Sequence, residues 1–222
     1  MPTPEGKTLT RRGREARSAE TRVRLLDATI DCLLERGYAG TSTPEVCERT
    51  GLSRGALLHH FPTRQDLVIE AVGRLVSRMG VESLAHAARA AREGKTGDSL
   101  DRMFEVVWQD FRQPLFHAAL ELWVAARTDA DLHRSLYASE RVRGRGIIKF
   151  YEVIAGAVSE VPGFAEMLEL TLHLMRGMAL QRLIRPDDQR RSELYAIWQA
   201  VARRELQSRA PVRKPGASPT SS

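Results

Sequence analysis

A few groups of residues are of types and spacings that do chemistry in proteins. Ser53 stands in Gly51-Leu52-Ser53-Arg54-Gly55, the G-x-S-x-G spacing that presents a serine hydroxyl for acyl transfer. That elbow needs a strand running into the serine, and Glu48-Arg49-Thr50 instead closes a polar-faced helical pattern. Gly94-Lys95-Thr96 has the ending of a phosphate-cradling loop, but the loop's first glycine would fall where Arg89 stands, with no strand before it. His59 and His60 are neighbours, which on a helix point about 100° apart and cannot grip one metal. His117 and Glu121 lie four apart and share a helix face, so they either form that helix's solvent stripe or place a polar pair inside a cavity. His173 and Arg176 read as a surface or interface pair. Cys32 and Cys47 sit in apolar helical patterns and read most simply as small core residues, not as a disulfide scaffold or a zinc ligand set; their spacing gives no support to a redox pair. No convergent nucleophile, base and orienting group is visible, so neither catalysis, a metal nor a cofactor is expected.

The chemistry that stands out is polyanion recognition. Residues 1–24 carry Lys7, Arg11, Arg12, Arg14, Arg17, Arg22 and Arg24 against Glu5, Glu15 and Glu20, a basic end to a chain of net charge +6. A further cation, Arg54, heads a short apolar-backed helix. The 222 residues are 42% hydrophobic, enough for a sizeable core, which excludes wholesale disorder. No apolar stretch approaches the roughly 18 residues that span a bilayer, and the N-terminus has no hydrophobic secretory core, so a soluble cytoplasmic protein is expected.

Apolar residues recur at helical spacing throughout, and no run shows the period-2 alternation of a strand, so the fold class is all-α. Residues 1–17 and 210–222, rich in Pro, Thr, Ser, Gly and Arg, read as a disordered basic arm and a disordered tail. A first helix spans about 18–36 on the stripe Val23, Leu26, Ile30 and Leu33, and Gly37 stops it. Ser42 caps a short helix with Glu45 three residues on, a capping box, and Pro44 sits harmlessly in its first turn. Gly51 ends that helix, and Ser53 caps a third, Arg54 to Phe61, which Pro62-Thr63 breaks. A long helix then starts at about Arg64 on Val68, Val72, Leu75 and Met79. Beyond a turn at 94–97 come helices at about 98–112, 115–127, 129–159 (with a kink at Gly144 and Gly146), 164–184 and 188–208.

Two short helices joined by a tight glycine turn are the geometry of a helix-turn-helix. Val46, Leu52 and Leu57 supply the apolar contacts between them, Cys47 is small where they approach, and Gly55-Ala56 keep the leading face of the second thin enough for a major groove. The run from Gly37-Tyr38 through Thr43-Pro44-Glu45-Val46, Gly51-Leu52-Ser53-Arg54-Gly55 and His59-His60-Phe61, with Arg64 and Leu67 following, resembles the DNA-binding domain of the tetracycline-repressor-like (TetR/AcrR) transcriptional regulators. The resemblance covers about the first third of the chain. It implies an N-terminal three-helix DNA-binding domain over 18–64, and a larger helical effector-binding and dimerisation domain over 65–209.

The resemblance also implies roles. Ser42 and Ser53 open the two helices that meet DNA, Thr43 holds a phosphate, and Arg54 and Gly55 face base edges, with Arg54 suited to guanine. His59 and His60 lie against the sugar-phosphate backbone, and Arg64, where the family usually has Lys, clamps a phosphate. Leu58 replaces the family's usual Tyr and can offer only an apolar contact, such as with a thymine methyl. In the larger domain Phe104, Trp108, Phe111, Phe116 and Trp123 crowd two adjacent helices. With Glu121, Tyr151 and Met175, and with Phe150 nearby, they are either a filled core or the lining of an apolar effector pocket. Leu168, Leu172, Met175 and Ile184, facing Leu194, Ile197, Trp198 and Val201 on the last helix, are the expected homodimer surface. The function so implied is a repressor on a palindromic operator, released by a small hydrophobic effector. A non-specific architectural DNA-binding protein and a small helical enzyme are the competing classes.

Overall fold

The computed structural model describes residues 5–93 and 98–210; the first four residues, the expected turn at 94–97 and the tail from 211 onward lie outside the described residues. Among these, every regular element is helical: α1 (Glu5–Gly40), α2 (Thr43–Thr50), α3 (Arg54–His60), α4 (Arg64–Glu93), α5 (Ser99–Asp110), α6 (Pro114–Ala125), α7 (Ala130–Ala155), a 3-10 turn (Gly156–Glu160), α8 (Phe164–Arg182) and α9 (Asp188–Arg209). The all-α architecture with an N-terminal helix-turn-helix is as the sequence predicts. Helix α1, however, begins at Glu5, so residues 5–17 are helix where their composition predicts a disordered arm. Arg, Glu and Ala are strong helix formers, and extending an existing helix avoids the cost of nucleating a new one.

The chain divides into two compact units, residues 1–85 with 112–145, and residues 86–111 with 146–222. The first holds the helix-turn-helix but does not stop at residue 64: α4 as far as Ala85, α6 and the first part of α7 belong to it, because α6 packs along α1. Leu25, Leu26, Ile30 and Leu33 of α1 are buried with Leu67, Val68, Val72 and Leu75 of α4. Val23 is 40% exposed, so the inward stripe of α1 begins two residues later than its spacing suggests. Ion pairs also fasten α4 to α1: Arg74 forks onto Asp27 at 2.6 and 2.5 Å, Arg78 reaches Asp31 at 3.5 Å, and Arg22 meets Glu70.

In the second unit Phe104, Val107, Leu168, Leu172, Met175, Tyr195 and Leu206 are buried. The Tyr195 hydroxyl donates to the Phe104 carbonyl at 2.9 Å, and its ring stacks on Trp108 at 5.1 Å. Asp110, 5% exposed, accepts from the Tyr151 hydroxyl at 2.8 Å and sits 2.6 Å from His86 Nδ1, so the buried carboxylate is held from α4 and α7 at once. Leu168, Leu172 and Met175, expected on a dimer surface, are buried within their own unit, whereas Ile184 is 84% exposed. Helix α8 is apolar on two faces, and spacing alone does not say which face meets its own chain. The one left in solvent carries Leu170 and Leu180, followed by Ile184 in the turn after the helix, with Ile197 and Val201 exposed on α9.

Candidate nucleic-acid interface

Local chemistry sets the paired short helices. The Ser42 hydroxyl accepts from the Glu45 N–H at 3.4 Å and starts α2, while the Glu45 carboxylate is engaged by Arg49 at 2.9 Å and Arg36 at 3.2 Å, so the reciprocal half of the capping box is diverted into ion pairs. Gly51, at φ 67 and ψ 18, closes α2: its N–H donates to the Glu48 carbonyl and that of Leu52 to the Cys47 carbonyl, a Schellman ending that only glycine adopts without strain. Ser53 Oγ then accepts from the Ala56 N–H at 3.2 Å and caps α3. With a helix on either side and its oxygen serving as a cap, Ser53 is no nucleophile elbow.

Leu57 and Phe61 of this segment are fully buried, which turns Arg54, Gly55, Leu58 and His59 outward. These occupy positions i, i+1, i+4 and i+5, a single helix face. Gly55 has no positive φ, and a Cβ built on it meets nothing closer than Ser53 Oγ at 3.9 Å. The chain's own packing therefore does not require glycine there. Gly55→Ala is expected to raise the melting temperature slightly, by up to about 1 kcal/mol of helix propensity. The same change should weaken binding to a specific duplex on the order of tenfold, read by thermal melting and fluorescence anisotropy on one preparation.

The flanking cations have tasks that the sequence did not announce. The Arg22 guanidinium lies 4.6 Å from the centre of the Phe61 ring and donates to the His60 carbonyl at 3.2 Å, closing off the end of α3. His60 is half-buried, and that burial, with His59 and Arg22 nearby, holds its imidazole below the ordinary range. Arg64, expected to clamp a phosphate, donates through Nε to the Thr41 carbonyl at 2.7 Å and through Nη2 to the Tyr38 carbonyl at 2.6 Å, with its plane 4.6 Å from the Tyr38 ring centre. It is a strut between the end of α1 and the start of α4. Tyr38 is the hub of this joint: its hydroxyl donates to Asp129 at 2.9 Å and its backbone N–H to Glu121 at 3.0 Å. Gly37, at φ 68, leaves the room that the Glu121 carboxylate fills.

Comparison with known proteins decides the family. Residues 25–71, which contain both short helices, match the family described as bacterial regulatory proteins, tetR family. An uncharacterized HTH-type transcriptional regulator of Mycobacterium bovis is 31% identical over 181 residues, 79% of this chain and 89% of that protein. The chain belongs to the TetR family of transcriptional regulators. The HTH-type transcriptional regulator CymR of Pseudomonas putida is 29% identical over 182 residues, 81% of this chain and 88% of its own. A transcriptional regulator from Rhodococcus sp. Rha1 shares the fold at a TM-score of 0.63 and 24% identity, covering 86% of this chain and 99% of that one. The protein is thus a DNA-binding TetR-family transcriptional regulator, and no described helix is long and apolar enough to cross a membrane.

In this TetR-family chain the residues proposed to line an effector pocket fall into both compact units. Phe104, Phe111, Tyr151 and Met175 are buried in the second unit, where Trp108, half-buried, takes the Arg191 guanidinium at 5.7 Å. In the first unit Phe116 is buried edge-on to the half-buried Trp123, their centres 6.0 Å apart. The His117–Glu121 pair is split: Glu121 is exposed and turned to the Tyr38 N–H, while His117 Nε2 is fully buried. Among the described residues no group of three or more His, Cys, Asp or Glu is placed to hold a metal, and the Cys32 thiol is pushed up by burial. One polar side chain here was missed by the sequence reading. Gln113, the N-cap of α6, makes no side-chain cap; it is 9% exposed, and neither its Oε1 nor its Nε2 has a hydrogen-bond partner among the described residues. Leaving such a group buried and unmet costs roughly 1–3 kcal/mol.

Proposed function

We propose that the protein is a repressor that binds a pseudo-palindromic operator as a homodimer and leaves it when a small hydrophobic effector binds. The observation that carries this reading is the outward face of α3, where Arg54 stands beside a glycine that the fold does not demand. An arginine fork beside a bare backbone suits a guanine edge in the major groove, with Leu58, 39% exposed, positioned for a thymine methyl. The basic, helical start of α1 adds sequence-independent attraction to phosphates. Two copies related by a two-fold axis present this face to successive half-sites.

The proposed dimer surface is the outward side of α8 and α9. Leu180 lies on one α8 face with Leu170, in line with Gly177, where a Cβ would meet nothing within 4 Å, and Ile184 is exposed in the turn that follows the helix. A monomer leaves these side chains wet; a four-helix bundle with a second copy covers them. The double change Leu180→Glu, Ile184→Glu is expected to give a monomer in analytical ultracentrifugation with an unchanged far-ultraviolet spectrum. A variant that remains dimeric places the interface elsewhere.

Repression itself is tested by transcription from a promoter holding the selected duplex. The protein is expected to lower transcript yield, and a rise in yield would make it an activator. Architectural binding is separated by measuring specific and random duplexes at one salt concentration: equal affinities would favour it.

A further inference from the structure

Gln113 is a polar anomaly on an apolar helix. Leu115, Phe116, Ala118, Ala119, Leu120 and Leu122 of α6 are all buried, and a leucine or methionine in place of Gln113 would fill similar volume with nothing left unmet. The side chain does not cap its helix, so local structure does not account for it. One turn further along α6, the fully buried Nε2 of His117 adds a second polar atom near the same helix end.

We propose that the Gln113 carboxamide anchors the effector, and that the effector carries a neutral amide-like group, a carboxamide, lactam or imide, on an apolar body. This rests on the reading of the protein as an effector-released regulator. The chemistry follows from the anchor. A carboxamide offers a donor and an acceptor in one plane, and a partner that meets both presents an acceptor and a donor side by side in the same plane. A carboxylate meets the donor and leaves Oε1 facing negative charge; an ammonium meets the acceptor and leaves Nε2 without a partner. In a buried apolar setting each of those ions also sheds its hydration, so the neutral planar group is favoured over both. The apolar body lies against the hydrocarbon of α6, and binding relieves an unmet buried group, so the amide discriminates strongly against an analogue that lacks it.

The experiment compares wild type, Gln113→Leu and Gln113→Met by thermal shift with millimolar benzamide and, as the non-hydrogen-bonding control, ethylbenzene. Binding of each protein to the duplex it selects from a random pool is measured alongside. The expected result is that benzamide raises the wild-type melting temperature more than ethylbenzene does. In both variants that advantage disappears, their unliganded melting temperatures are not lowered, and their duplex affinity stays within twofold. Equal benzamide shifts in wild type and variants, no benzamide shift in wild type, or variants that melt well below wild type would each overturn the proposal. Failure of the wild type to select any duplex counts instead against the DNA-binding reading on which it rests.

Discussion

Arg54→Ala is expected to cost the protein its preference for one base pair in each half-site while leaving its affinity for random duplex nearly intact. The side chain leaves the first turn of α3 into solvent, and no hydrogen bond or ion pair within the described residues holds it. Its guanidinium is therefore available to pair with the two acceptors of a guanine. Losing such a bidentate contact removes about 1–3 kcal/mol, a factor of roughly 5 to 150 in affinity for the specific duplex. Because the contact is to a base, the slope of affinity against salt should hardly change. Anisotropy titrations of specific and random duplexes at two salt concentrations check this. An equal loss on both duplexes, with a shallower slope, would mean that Arg54 meets a phosphate and that base reading lies elsewhere.

Arg64→Ala is expected to act on stability first. Its guanidinium satisfies the Tyr38 and Thr41 carbonyls, beyond the break that Gly37 puts in α1 and before α2 begins, and it faces the Tyr38 ring. Charge-assisted hydrogen bonds and a cation–π contact at a half-buried site together contribute on the order of 2–4 kcal/mol. In a domain of this size that corresponds to a fall in melting temperature of roughly 5–15 °C. Arg64→Lys keeps the charge but not the fork, so it should recover only part of the loss. The phosphate-clamp expectation gives the opposite pattern: unchanged melting, a salt slope shallower by about one, and full rescue by lysine. Melting curves and salt titrations of the two variants separate these outcomes.

The contrast between Arg54 and Arg64 shows what the sequence could and could not specify. The helix-turn-helix was legible because each device in it acts within a few residues: the Ser42 and Ser53 caps, Pro44 in a first turn, Gly51 in a left-handed ending, Leu57 and Phe61 facing inward. The role of Arg64 depends on carbonyls 23 and 26 positions away, and that of Tyr38 on Asp129, 91 positions away. No local pattern announces such partners. The exposed side of α8 was misassigned for a related reason. Leu168, Leu172 and Met175 form a genuine apolar stripe, but α5 and α9 of the same unit compete for it, and Leu170, Leu180 and Ile184 are what remains. Gln113 falls between the two helices expected at about 98–112 and 115–127, where no sequence pattern marks it; only its burial does.

The central claim is that α3 reads bases twice per assembly, and selection from a pool of random duplexes followed by footprinting tests it most directly. The account predicts an inverted repeat. Its two half-sites should each be protected in the major groove on one face of the duplex, and a guanine in each should lose its enrichment when Arg54 is replaced by alanine. Recovery of unrelated sequences with uniform protection, or of a single half-site that Arg54→Ala selects equally well, would contradict it.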